Sequence, residues 1–236
     1  QRIGDRFAPV VGADAAGMSA ASQARRRRSD LDIVAFDRGN WTSYSACGIP
    51  YVVAGDVGEL DQLVARTPAE FRNNLHIDVR LGHEVLEIDL AAQRVSVRDV
   101  ARQRDLQLGF DQLLIATGSR PTRPDVAGVD EPFIHGVQTL DDAADLLAHA
   151  RSSRATNVVV VGGGYIGLEM AEAFLAWGAH VSLVEAGPQI MRTLDADMAA
   201  RVEEALVRHG VDLRTSSPVE GFEPGRVITA AGHLDA

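Results

Sequence analysis

Short, unbroken apolar runs alternate along the chain with longer stretches in which apolar residues recur every three or four positions. A run closing at Val10-Val11 is followed by a periodic stretch that predicts a helix over Ala15–Arg28, then by a second apolar run, Asp32–Phe36. The same order returns later. A run closing at Val160-Val161 leads to a helix over Tyr165–Trp177 and a strand over His180–Val184. Fully apolar short runs between helices are the signature of parallel strands buried on both faces.

Between these repeats, residues 76–118 read as short strands: Ile77–Val79, Glu84–Ile88, Arg94–Val97, Leu106–Leu108 and Gln112–Ala116. Their alternation and intervening turns predict a β-meander that returns to the sheet. Residues 119–137 form a Pro/Gly-rich connector, and Asp141–Ala150 a short amphipathic helix. A helix over Asp195–Arg208 ends at Gly210, and Pro218–Ala236 reads as a β-hairpin. The expected fold is α/β, with two Rossmann-like dinucleotide-binding domains of parallel sheet, helices and β-meander. Their expected extents are 1–118 and 151–236, joined by 119–150. Arg2–Pro9 does not read as the apolar first strand of such a fold, and Pro9 would cost a ladder hydrogen bond in a central strand.

Each repeat carries glycines where its first strand meets its helix. Gly162-x-Gly164-x-x-Gly167 is complete: one glycine for a tight turn, one for backbone approach to a pyrophosphate, one for helix–strand packing. In the first repeat, Gly12 and Gly17 are present but Asp14 stands in the middle position, where its carboxylate would repel a nearby phosphate. Each second strand ends in an acid, Asp37 and Glu185, placed to accept from the ribose of an adenosine. Glu185 would repel the extra phosphate of NADPH, so NADH is favoured. Arg192 could temper that repulsion, and a solvated strand-end acid is the alternative reading of Glu185.

Charge and cysteine usage narrow the chemistry. Of 236 residues, 33 are acidic and 23 basic, a net charge of −10 that argues against nonspecific nucleic-acid binding. No apolar run reaches membrane-spanning length and no basic-then-apolar leader is visible, so the chain reads as cytoplasmic. Every basic residue is arginine, which excludes a Schiff-base or P-loop lysine. The seven histidines show no metal-ligand spacing. Cys47 is the only cysteine, so no internal disulfide can form. A solitary cysteine is commonly a small buried hydrophobe. Here, however, Pro50 can open a helix just beyond it, and free amides at a helix N-terminus favour a thiolate.

The segment Ser43-Tyr44-Ser45-Ala46-Cys47-Gly48-Ile49-Pro50-Tyr51 resembles the single-cysteine redox motif of the coenzyme A-disulfide reductases, flavoenzymes of the pyridine nucleotide-disulfide oxidoreductase class. The resemblance runs from about Val10 onward. It takes in Gly12-Ala13-Asp14-Ala15-Ala16-Gly17-Met18-Ser19-Ala20-Ala21, Phe110-Asp111-Gln112-Leu113-Leu114-Ile115-Ala116-Thr117-Gly118 and Gly162–Glu169. It implies FAD at Gly12, Ala16, Gly17, Asp37, Arg38, Val85, Ala116, Thr117 and Gly118. It implies NADH or NADPH at Gly162, Gly164, Ile166, Gly167 and Glu185, with Tyr165 covering the flavin and Glu169 beside the nicotinamide. Hydride would pass to FAD and electrons on to Cys47, which would alternate between thiolate and a mixed disulfide with coenzyme A. Relatives contact coenzyme A at positions matching Ser19, Gln23, Arg26 and Ser43, the first three on one helix face. A solvated cationic helix end is the alternative reading of Arg25–Arg28.

Two departures concern the substrate: Ala46 stands where reductases often have Asn, and Leu75 where some have a phosphate-binding Lys. A persulfide or another small disulfide is therefore open. Related NADH oxidases and peroxidases, which use the cysteine as a sulfenic acid, usually carry His at the position of Ala15 and lack the proline at Pro50. A non-catalytic nucleotide-binding fragment is the third reading. The family further implies that both domains are incomplete and the fold truncated, and that the full-length form is a homodimer through a dimer domain beyond this chain.

Overall fold

A computed structural model describes residues 6–236. In chain order the elements are β1 (Phe7–Val11), α1 (Ala15–Arg27), β2 (Asp32–Phe36), α2 (Ile49–Ala54), α3 (Pro68–Leu75), β3 (Ile77–Arg80), β4 (His83–Asp89), β5 (Arg94–Asp99), β6 (Arg104–Gly109) and β7 (Leu114–Ile115). They continue with α4 (Leu140–Ser153), β8 (Asn157–Val161), α5 (Tyr165–Trp177), β9 (His180–Val184), α6 (Ala196–Arg208), β10 (Asp212–Arg214), β11 (Val219–Glu223), β12 (Arg226–Thr229) and β13 (Gly232–Asp235). Contacts divide the chain into two compact units, Gln1–Ser45 with Asp61–Arg120, and Ala46–Leu60 with Pro121–Ala236.

The first unit holds a parallel sheet of order β3-β2-β1-β7 and an antiparallel meander β4-β5-β6. Ile33 and Ala35 of β2 join Met18, Ala21, Phe71 and Ile77 on the helical side of the sheet. Val34 and Phe36 join Val95 and Val97 on the meander side. A strand that buries both faces has no polar side to show, which is why this run is unbroken. Ile77–Arg80, expected in the meander, pairs instead with β2 in the parallel sheet.

The first strand corrects an expectation. Phe7–Val11 is a strand in spite of Pro9, which is fully buried; Arg2–Asp5 lie outside the described residues. Peptide groups of Arg6 and Gly12 bond toward β2, while those of Phe7 and Val11 bond toward residues 111–116. By alternation Pro9 turns its donorless nitrogen toward β7, whose pairing is only two residues long. The missing donor therefore falls where the ladder is already short.

Helix α3 was not foreseen, although Thr67-Pro68-Ala69-Glu70 spells its start. The Thr67 hydroxyl accepts from the Glu70 amide, the Glu70 carboxylate accepts from the Thr67 amide, and Pro68 opens the helix. Arg25 clamps its far end, donating through Nε to the Leu75 carbonyl at 2.9 Å and through Nη2 to that of His76 at 2.8 Å. Arg25 is thus a structural tie between α1 and α3 rather than a solvated helix-end charge. Arg25→Ala is expected to destabilise the first unit by about 1–2 kcal/mol, the scale of lost charged hydrogen bonds. Denaturant unfolding followed by Trp41 fluorescence checks it, and an unchanged midpoint would refute the clamp.

The second unit pairs a parallel sheet, β10-β9-β8, with an antiparallel sheet, β11-β12-β13. The expected hairpin over 218–236 is therefore a three-stranded sheet. The stretch expected as a connector also belongs to the core of this unit: Val126, Val129, Phe133 and Ile134 pack with Val184, Phe222 and Val227. Phe222 donates to the Ala127 carbonyl at 2.8 Å. Here too β9 sends alternate side chains to opposite faces. The excursion Ala46–Leu60 joins this unit because α2, with buried Ile49, Val52 and Val53, packs on α5. This grouping differs from the expected unbroken span 1–118.

Candidate functional site

The two glycine turns share their backbone hydrogen bonds. The Gly12 amide donates to the Phe36 carbonyl and that of Gly162 to Val184, each at 2.8 Å. Gly12 and Gly162 have φ of +103° and +106°, a region that L side chains rarely adopt. A Cβ on Gly17 or Gly167 would strike the carbonyl oxygen of Gly12 or Gly162, so each helix closes directly on its own turn. The two strand-end acids also match. Asp37 accepts from the amides of Ala13 and Gly39, both at 2.9 Å. Glu185 accepts from Gly163 at 2.8 Å and Gly187 at 2.7 Å. Each carboxylate braces its turn and keeps lone pairs for further donors.

A third match was invisible in the sequence. After each acid the chain folds back onto the turn through a non-glycine residue with positive φ, Ser43 at 50° and Met191 at 47°. Ser43 donates to the Ala13 carbonyl at 3.2 Å, and Met191 to that of Gly163 at 2.7 Å. Buried Thr42 adds a hydroxyl bond to the Ala13 carbonyl.

The turns differ at their middle position. Gly164 (φ −85°, ψ −176°) and Asp14 (φ −112°, ψ −154°) are both extended helix N-caps. A Cβ on Gly164 would meet only open space, so a ligand can approach the bare backbone there. Asp14 fills the equivalent space with a carboxylate, which accepts from the Tyr44 amide at 3.2 Å. Burial pushes the Asp14 carboxyl up from its ordinary value and Asp37 adds to this, while bonds from the Tyr44 and Ala15 amides oppose it.

Several expected residues converge in the first unit. The Ala116 carbonyl lies so close to Gly12 that no Cβ would fit there, and the Ala116 amide donates to Val11 at 2.7 Å. This sets Ala116, Thr117 and Gly118 beside Gly12, with Ala16 exposed at the helix start. Arg38 is exposed next to Asp37. Val85 packs its side chain into the meander core, next to a register shift between Val85 and Glu87. On α1, Ser19, Gln23 and Arg26 form an exposed row, with Arg26 donating to Gln23 at 3.3 Å.

In the second unit, Tyr165 is 63% and Ile166 57% exposed, an apolar pair at the mouth of the complete turn; Glu169 is exposed one turn further along α5. Arg192 makes no ion pair with Glu185 among the described residues; its Cδ lies near Gly187. Cys47 is free and exposed, in a single helical turn, Ala46–Gly48, that runs into α2 with Pro50 in the first turn of that helix. Among the described residues, no group of three or more His, Cys, Asp or Glu could hold a metal ion, and no helix is long and apolar enough to cross a membrane.

The family model for pyridine nucleotide-disulphide oxidoreductases matches residues 9–233. An NAD(P)H sulfur oxidoreductase (CoA-dependent) of Pyrococcus abyssi is 37% identical over 235 residues, covering 96% of this chain and 51% of that protein. An NAD(P)H coenzyme A polysulfide/persulfide reductase of Pyrococcus horikoshii is likewise 37% identical, with the same coverage. The reduced Bacillus anthracis CoADR-RHD structure superposes with a TM-score of 0.94 at 28% identity, over 100% of this chain and 43% of that one. The chain thus spans about half the length of the curated relatives it matches. A paired set of glycine turns, a braced acid behind each and a match over nearly the whole length place this chain in the pyridine nucleotide-disulphide oxidoreductase family.

Proposed function

We propose that the chain carries the nucleotide-binding part of an FAD-dependent NAD(P)H:disulfide oxidoreductase that reduces coenzyme A disulfide or a related persulfide through Cys47. The observation that carries this reading is the joint presence of two matching dinucleotide turns and one exposed cysteine, on a segment packed against the helix of the second turn. In the first unit, Gly12, Ala16, Gly17, Asp37, Arg38, Val85 and Ala116–Gly118 would hold FAD. In the second, Gly162, Gly164, Ile166, Gly167 and Glu185 would hold the nicotinamide dinucleotide, and the open space at Gly164 fits a pyrophosphate there. FAD held there would supply the relay of an electron pair from nicotinamide to sulfur. Tyr165 would shield the reacting face, and Glu169 would orient the nicotinamide.

Cys47 as thiolate attacks one sulfur of the disulfide. The new bond joins Cys47 to one coenzyme A half, and the other half leaves as thiolate and takes up a proton. Reduction of that mixed disulfide returns Cys47 and releases the second thiol. Ser19, Gln23, Arg26 and Ser43 would contact the coenzyme A moiety. The full-length protein would act as a homodimer in the cytoplasm.

Anaerobic mixing of flavin-loaded full-length protein with NADH and coenzyme A disulfide is expected to release two thiols per NADH oxidised. NADH oxidation that needs oxygen and is not accelerated by disulfide would overturn this reading in favour of an oxidase. Glu185→Gln removes the charge and keeps an acceptor oxygen for one of the two turn amides. It is expected to shift the kcat/KM ratio toward NADPH by about tenfold, near 1.4 kcal/mol. An unchanged ratio would remove Glu185 from cofactor selection.

A further inference from the structure

We propose that Asp14 makes flavin binding at the first glycine turn proton-linked, and at the same time latches the segment leading to Cys47 onto that turn. The inference rests on the assignment of FAD to the first unit and concerns a residue for which the second turn has no counterpart.

The twin turns supply an internal control. Their strand, positive-φ glycine, helix cap, bracing acid and fold-back residue correspond position by position. At the middle position, the second turn leaves open space against bare backbone, and the first presents a carboxylate. A pyrophosphate seated on the first turn would bring negative charge close to Asp14. Two like charges at short range in a partly desolvated site oppose each other, so the complex favours protonated Asp14 over ionised Asp14. The charged group that faces Asp14 is Asp37, at the end of β2, and it acts in the same sense. The backbone amides of Tyr44 and Ala15 act against it. Burial has already moved the free carboxyl upward, so less of the proton affinity must come from the ligand.

The sign follows. The complex holds the proton more tightly than the free protein, so affinity is greatest at low pH and falls as pH rises, by at most about tenfold per pH unit for one proton. The latch is a separate consequence. The Asp14 carboxylate, the Ala13 carbonyl and Thr42 tie residues 42–44 down at three points. Asparagine keeps the acceptor for the Tyr44 amide without the charge, and glycine removes both.

The test is FAD titration of full-length apoprotein, read by quenching of flavin fluorescence from the ordinary carboxylate value of 3.8 up to neutral pH in wild type, Asp14→Asn and Asp14→Gly. The wild type is expected to lose about tenfold or more in affinity across this range. Both variants should be nearly flat, and tighter than wild type by about tenfold at the upper end. Amide exchange at Tyr44 should quicken in Asp14→Gly and not in Asp14→Asn. A flat wild-type profile, or the same slope in all three proteins, overturns the proton linkage and leaves the flavin assignment standing. No binding at any pH by proteins that keep native circular dichroism overturns the flavin assignment, and this inference with it. Unchanged exchange at Tyr44 in the glycine variant overturns the latch.

Discussion

Cys47→Ser in the flavin-loaded full-length protein is expected to lower disulfide-reductase kcat by about a thousandfold or more while leaving NADH binding within about twofold. Cysteine sulfur is intrinsically a strong nucleophile; a serine hydroxyl is not. Serine also cannot form the mixed disulfide that divides the reaction into two thiol releases. Cys47 is the only cysteine among these 236 residues, so no other cysteine of this part of the protein can take over the step. The substitution is nearly isosteric at an exposed position, so folding is not at stake. Stopped-flow absorbance separates the two halves of the reaction: bleaching of the flavin by NADH should persist, and thiol release should vanish. Thiol release at the wild-type rate would exclude Cys47 from the chemistry.

The features that were legible in the sequence are local. Apolar runs located the strands on either side of each glycine turn, and helix Tyr165–Trp177 has the expected bounds. The glycine spacing and the following acids marked both turns, because the turn, the close helix approach and the brace each demand a particular residue type at a particular place. Most of what escaped is held by contacts between distant segments. Nothing near Ser43 or Met191 announces a positive φ; their conformation is set by bonds to Ala13 and Gly163. Asp14 read as a defect in a phosphate site, whereas its carboxylate also has a partner, the Tyr44 amide. The grouping of Ala46–Leu60 with the second unit depends on α2 meeting a helix far along the chain. Pro9 was read against a full ladder, and the structure gives it a neighbour strand of two residues. Helix α3 was local and legible: Thr67, Pro68 and Glu70 form a complete start signal, and the surrounding polar residues masked it.

The twin turns also allow backbone strain to be separated from collision. Gly12→Ala and Gly162→Ala place a Cβ at nearly the same backbone geometry, φ of +103° and +106°. Adopting such a φ costs an L residue about 1–3 kcal/mol. At Gly162 that is the whole cost, since nothing lies within 4 Å of the added Cβ. At Gly12 the Cβ would overlap the Ala116 carbonyl, a backbone group fixed by the bond from the Ala116 amide to Val11 at 2.7 Å. Backbone cannot rotate aside as a side chain can, so either β7 leaves β1 or the turn opens, adding about 1–3 kcal/mol. The expected losses are therefore about 4 kcal/mol for Gly12→Ala and about 2 kcal/mol for Gly162→Ala. Because each unit carries one tryptophan, Trp41 in the first and Trp177 in the second, the losses can be read separately. Trp177→Phe leaves fluorescence to the first unit and Trp41→Phe to the second. In urea, Gly12→Ala should move the Trp41 transition about twice as far in free energy as Gly162→Ala moves that of Trp177. Flavin affinity should fall with the first variant and NADH affinity with the second. Equal shifts would mean that the Ala116 carbonyl yields freely, and that the return of β7 to the sheet does not hold the first turn closed.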